Sequence, residues 1–212
     1  QQLPSDRTGA APGGAAVYTF VAGEPGTYLY EAGLTNNGPH QVGMGMVGVL
    51  IVRPAAAGQV YDDPATAYDD EAVVVLGELD PALNGAPATF DMRAYAPKYW
   101  LINGKAFPNT DAIATDAGRR LLVRYVNAGQ QHHSMTALGL TQTLIGSNGK
   151  RLAYPTHLAA HTLAPGQTAE VLINVPAAAV AGTRFPLYDA TLLLHNNGAP
   201  GFGGMLTFLA VG

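Results

Sequence analysis

The stretch that most constrains this chain runs over residues 118–150, GRRLLVRYVNAGQQHHSMTALGLTQTLIGSNGK. Leu121, Val123 and Tyr125 alternate with Leu122, Arg124 and Val126, so the run reads as a strand, and Asn127-Ala128-Gly129 breaks it. A second apolar run follows over residues 135–145 and is closed by Ser147-Asn148-Gly149. Asn-Gly marks a tight hairpin, because both central residues of that turn need φ > 0. A chain with strand, turn, strand, turn at its centre belongs to an all-β protein. Between the two runs lie His132 and His133, adjacent imidazoles that are the nearest thing in the sequence to a metal signature.

The remainder agrees with an all-β reading. Gly and Pro number 26 and 15 of 212 residues, and both interrupt helix interiors and punctuate strands. Residues 1–16 form a Gly/Ala/Pro-rich lead-in. Residues 17–22 and 27–31 read as strands on either side of the turn Glu24-Pro25-Gly26, residues 33–45 as a polar loop, and 47–52 as a buried strand. These few strands make about half of a sandwich, which usually needs about seven. Residues 55–70 read as a linker, and the carboxylates clustered in it form a solvated connector more readily than a Ca²⁺ site. From residue 71 strands recur at regular spacing to residue 211, with 80–88 as a loop and a short element near Leu152, enough for a complete β-sandwich or Greek-key barrel.

Composition excludes several functions. Charged residues are 12% of the chain, the formal net charge is −4 and no basic run occurs, so nucleic-acid binding is excluded. No apolar run approaches the roughly 18 residues of a membrane span. The chain holds no cysteine, which removes disulfides, thiolate metal sites and cysteine nucleophiles, while leaving the compartment open. Gln1 is not an initiator Met and no signal peptide is evident, so a processed or cut amino terminus is expected. Gly-x-Ser-x-Gly is absent, and the Gly-rich GFGGM precedes a strand, so it is no phosphate loop.

With these segments placed, the chain resembles the multicopper oxidase family of tandem cupredoxin domains. The matching stretches are GTYLYEAG (26–33), QVGMGMVGVLIVRP (41–54), YWLINGKAFPNT (99–110), RRLLVRYVNAG (119–129), LAPGQTAEVLINVP (163–176) and LLLHNNGAPGFGGMLTF (192–208). Their order implies a cupredoxin-like Greek-key fold with the carboxy-terminal part of a first domain at 1–54, the linker at 55–70 and a complete second domain at 71–212.

The resemblance also shows what has been lost. Where active members read Gly-Thr-Tyr-Trp-Tyr-His-Ser-His, this chain has Gly26-Thr27-Tyr28-Leu29-Tyr30-Glu31-Ala32-Gly33. The His-Pro-x-His-x-His-Gly-His run is matched only at His133, with Thr136, Leu138 and Leu140 at the other imidazole positions. The closing His-Cys-His run becomes His195-Asn196-Asn197. A type 1 centre takes a thiolate, two imidazoles and a weak axial Met; here only His133 and Met205 stand at such places, while His132 and His133, completed by His195 with Met205 as a soft ligand, are the alternative of a mononuclear copper or zinc site. These four are the candidate metal ligands, copper being the metal the resemblance implies.

Other residues carry weaker signals. His157 and His161 are spaced i, i+4 in a segment that reads as a loop or one helical turn. Glu31 replaces a family ligand, and Met44 and Met46 are either core filling or a copper-handling patch. The sequence therefore leads to a multicopper-oxidase-like protein without its copper ligands, acting as a structural or binding module that is secreted, periplasmic or on the cell surface. The competing expectations are a fragment of a larger laccase-like oxidase and a mononuclear copper protein using His133 and His195. Because half a domain leaves open strand edges, residues 1–54 are expected to be covered by a protein partner, a second copy or a missing part of the same polypeptide.

Overall fold

A computed structural model of the chain describes residues 10–33, 35–194 and 200–212. The first elements are β1 (Gly26–Glu31), helix α1 (Gly38–Gly43) and β2 (Val47–Val52). β1 and β2 pair antiparallel into a two-stranded ribbon. The helix interrupts the stretch expected to be a loop. Pro39 stands in its first turn, where the missing proline N–H has no intrahelical partner to lose.

Six strands build the larger sheet, in the order β4 (Tyr99–Ile102), β3 (Asp70–Leu79), β6 (Arg120–Asn127), β11 (Thr168–Asn174), β8 (Gln142–Ser147) and β9 (Lys150–Leu158). Five build the smaller, in the order β10 (Ala160–Leu163), β7 (His133–Ala137), β12 (Arg184–Asp189), β13 (Leu206–Val211) and β5 (Ile113–Thr115). The two sheets stack face to face. Their common core takes Val74 and Leu76 from β3, Leu121, Val123 and Tyr125 from β6, and Met135, Leu187 and Leu209 from the facing sheet. Neither sheet closes into a barrel.

β6 is the central strand, and its alternation sorts two cores. The odd residues enter the space between the sheets. On the even face Leu122 joins Val60, Tyr61, Ile145 and Leu172 in a second cluster, with Tyr68 against it. Residues 55–70 therefore do more than connect: Val60 is fully buried and Tyr61 nearly so, covering the outer face of the larger sheet. Burial on both faces explains why the β6 sequence is an almost unbroken apolar run.

The predicted Asn-Gly hairpin is present, with Asn148 at φ 52° and Gly149 at φ 70° between β8 and β9. Several expectations need correction. Residues 17–22 form no strand, and Val17 and Val21 are 88% and 83% exposed, because none of the described strands pairs with them. The apolar run at 135–145 is two strands, β7 and β8, separated by a turn at Gly139. The short element near Leu152 is the nine-residue β9. His157 and His161 sit in β9 and β10 and not on a helical turn. Residues 80–88, expected as a loop, contain helix α2 (Pro81–Gly85), started by the Asp80 carboxylate accepting from the Ala82 N–H at 2.8 Å.

Candidate functional site: a buried histidine between two carboxylates

His133 opens β7, and the period-2 alternation of a strand sends it to the opposite side from His132. His132 is exposed, whereas His133 is 1% exposed. Adjacency in sequence thus separates the two imidazoles in space. The groups that meet His133 come from elsewhere: Glu78, near the end of β3 in the larger sheet, and Asp189, the last residue of β12 in the smaller. Glu78 Oε1 lies 2.6 Å from Nε2, and Asp189 Oδ2 lies 2.7 Å from Nδ1. The three side chains form a carboxylate–imidazole–carboxylate bridge joining the two sheets at one end of the sandwich.

Each carboxylate is held by backbone donors. Asp189 Oδ1 accepts from the Ser134 and Thr191 N–H groups at 3.2 and 3.0 Å. Glu78 accepts from the Gln130 and Gln131 N–H groups at 2.8 and 3.1 Å. Gly129 lets this happen, since a Cβ there would overlap both Glu78 oxygens. Tyr95 also hydrogen-bonds Glu78; burial, reinforced by the Glu78 and Asp80 charges, raises the pKa of its phenol, which stays protonated.

The electrostatics decide the state of the imidazole. Burial alone would lower the His133 pKa, but the hydrogen bonds and charges of Asp189 and Glu78 outweigh it and raise the value to about 9. Burial pushes Asp189 upward, yet His133 and the Thr191 and Ser134 amides hold it below the ordinary carboxylate value. At neutral pH His133 is an imidazolium donating from both nitrogens. In that state it has no lone pair for a metal.

The other candidate ligands stand apart from this arrangement. Met205 precedes β13 and is 1% exposed, packed in the core between the sheets with Leu187 and Leu209. His195 lies outside the described residues. Among the described residues no group of three or more His, Cys, Asp or Glu is placed to hold a metal ion. Glu31 is exposed at the end of β1, and Met44 and Met46 are 45% and 59% exposed. The residues present therefore do not fit a type 1 centre: no thiolate exists, and the imidazole expected at a ligand position is occupied on both sides.

A second buried ionic network supports the ribbon. Arg124 and Glu170 are direct cross-strand partners in β6 and β11, both with no side-chain exposure. The Arg124 guanidinium donates to Glu71 Oε1 at 2.6 Å and to Thr27 Oγ1 at 2.9 Å. Glu170 accepts from the Thr27 N–H at 2.7 Å and the Tyr61 hydroxyl at 3.1 Å. β1 and the 55–70 segment are thereby tied to the larger sheet through charge-assisted hydrogen bonds.

Sequence reasoning did not find Glu78, Asp189 or this network. The signal was present: Glu78, Arg124 and Glu170 are charged residues inside apolar strand runs, and a charge at a buried position requires a partner. What the runs cannot reveal is which partner.

No family model matches the sequence, and no curated protein matches it. Solved structures do resemble it. The blue copper oxidase from Nitrosomonas europaea superposes with a TM-score of 0.80 at 23% identity, over 92% of this chain and 58% of that one. The multicopper oxidase mgLAC gives 0.78 at 23% identity, with the same coverage of each. The copper nitrite reductase from Nitrosomonas europaea gives 0.70 at 22% identity, over 92% of this chain and 65% of that one. The chain thus spans less than two thirds of the length of these structures. Sandwich, ribbon and these likenesses together show that this protein has a cupredoxin-like fold, shared with these copper oxidase and copper nitrite reductase structures.

Proposed function

We propose that this chain is a multicopper-oxidase-like protein without type 1 or trinuclear copper chemistry, working as a structural or binding module. One observation carries the reading: His133, the residue that aligns with the family's imidazole run, is committed through both ring nitrogens to Glu78 and Asp189 at 2.6 and 2.7 Å. The absence of cysteine supports it, since no thiolate is available for a type 1 centre. In this reading residues 1–54 belong to a first cupredoxin domain, 55–70 connect and 71–212 form the second. The two outer edges of the β1–β2 ribbon pair with none of the described strands. A protein partner, a second copy or further polypeptide covers them, in a protein that is secreted, periplasmic or on the cell surface.

A second reading draws support from the solved neighbours, which are copper oxidases of which the chain spans 58%. There, this chain is part of a longer copper-dependent oxidase whose other segments bring the ligands. Copper loading tests the first reading against a mononuclear copper centre on this chain. After Cu²⁺ exposure and dialysis, elemental analysis and electron paramagnetic resonance are expected to find no stoichiometric copper on this chain. About one copper per chain, lost on His133→Ala, would overturn the non-catalytic reading and establish a mononuclear centre.

A further inference from the structure

The β1–β2 ribbon has one edge partly closed and one open. In an antiparallel pair alternate residues turn their backbone groups toward the partner strand and away from it. Thr27 turns them away: its N–H donates to Glu170 Oε1 at 2.7 Å, and its carbonyl accepts from Thr168 Oγ1 at 2.8 Å. Two side chains of β11 thus close the outer edge of β1 at that position. By the same alternation Ile51 and Val49, which stand opposite Thr27 and Leu29, point their N–H and C=O groups to the far side of β2. No strand among the described residues lies there. The six residues of β2, Val-Gly-Val-Leu-Ile-Val, are each half-buried and include neither a charge nor a proline. An edge without those guards is open to a further strand.

The same chain carries an unused strand. Residues 17–22, Val-Tyr-Thr-Phe-Val-Ala, are rich in β-formers and all exposed, Val17, Tyr18, Phe20 and Val21 by 88, 52, 45 and 83%. Their own β2 is out of reach. A strand added to β2 lies two strand spacings, about 10 Å, from β1. The Tyr28 hydroxyl donates to the Glu24 carbonyl at 2.9 Å and so holds the chain beside β1 as far as that residue. From Glu24 back to Ala22 the chain spans at most about 7 Å. Folding back along β1 instead would meet the edge that β11 closes at Thr27.

From the open edge and the unused strand we infer that residues 17–22 of one copy pair with the β2 edge of a second copy, which returns the same contact, giving a two-fold strand-exchanged dimer. Reciprocity meets both needs at once, because each copy contributes one free strand and one open edge and the closed pair leaves neither over. Main-chain hydrogen bonds supply the affinity, as in other strand additions, and the apolar side chains of residues 17–22 withdraw from water. Charge does not oppose the contact, since neither residues 17–22 nor β2 carry an ionisable carboxylate, amine or guanidinium side chain. This inference names a second copy of the chain as the partner of the binding module of the preceding section, and so rests on that reading.

The test is light scattering of the metal-free full chain over a concentration series, where a monomer–dimer equilibrium is expected. The double variant Thr19→Pro/Phe20→Pro removes two successive N–H groups, one of which faces β2 in any register, and should raise the dimer Kd by at least about tenfold. Both residues are exposed, so the circular dichroism of the variant should match that of the wild type. The chain holds no cysteine, so a mixture of the single variants Thr19→Cys and Val49→Cys treated with a short bismaleimide reports proximity between copies alone. Cross-links between the two variants are expected, and none when Val180→Cys, an exposed position between β11 and β12, takes the place of Thr19→Cys. A chain that is monomeric at every concentration overturns the exchange and leaves the β2 edge to a different protein or to further polypeptide. A dimer untouched by the two prolines, or one that gives no cross-link between positions 19 and 49, forms through another face and overturns it too. Because metal is removed beforehand, copper found on the chain in the loading experiment would refute the non-catalytic reading without touching this result, and a monomer would leave that reading standing.

Discussion

Replacing Arg124 by Met is the sharpest probe of how the ribbon is held. Arg124 is fully buried and makes its two short contacts to Glu71 and Thr27, with Glu170 3.7 Å from its guanidinium. Met approximates the aliphatic length and removes the charge. Glu71 retains Arg53, whose Nη2 donates to it at 2.6 Å, so little of the loss falls there. Glu170 has no such reserve: its side chain has no exposure, and among the described residues only the Thr27 amide and the Tyr61 hydroxyl remain to it. Removing one member of a buried pair typically costs about 3–5 kcal/mol, because the other charge stays desolvated. For a chain of this size that corresponds to a fall in Tm of roughly 6–20 °C. The double variant Arg124→Met/Glu170→Gln should recover most of the loss, since the stranded charge has gone. Urea unfolding of the wild type, both single variants and the double variant measures the coupling directly. A loss below about 1 kcal/mol for Arg124→Met, or a double variant no better than that single one, would refute the argument that the charge balance across β6 and β11 sets the stability of this face.

Two further predictions follow from the His133 site. Its folded pKa of about 9 stands above the ordinary histidine value of 6.5, so its contribution is fully present below about pH 6.5 and is lost as pH rises through 9; the shift corresponds to about 3 kcal/mol. The depressed Asp189 acts at the other limit, its contribution being lost only as pH falls through its lowered value. Thermal melts from pH 5 to 10 should therefore show a decline on the alkaline side that His133→Gln flattens; an identical decline in that variant would assign it to other groups. Gly129→Ala should cost on the order of 2–3 kcal/mol, because its methyl displaces the Glu78 carboxylate from the Gln130 and Gln131 amides. Retention of wild-type stability there would show that Glu78 has room to move.

Where sequence reasoning succeeded, the determinant was local. Alternation in residues 119–129 and the Asn148-Gly149 turn act over a few bonds, and both occur as expected. Where it failed, the outcome depended on neighbours. Residues 17–22 have strong β-formers, but a strand exists only when paired with another, and they pair with none of the described strands. The 55–70 segment has a linker's composition, yet Val60 and Tyr61 are buried because β6 and β11 leave an apolar face that needs covering. His132-His133 looked like a pair of ligands; the pleat directs one to solvent and the other inward.

What the sequence determined by itself is the β character of the chain, the place of its tight turns and the lack of any thiolate for copper, because each follows from residue identity or from interactions within a few positions. The tertiary structure alone decided the chemistry of His133. Its partners lie 55 and 56 residues away in either direction, on strands of two different sheets. Whether an imidazole is a free ligand or a buried imidazolium depends on how those layers stack. Burial in low dielectric penalises its charge, two carboxylates at hydrogen-bond distance more than offset that penalty, and neither effect exists until the sheets have closed over it.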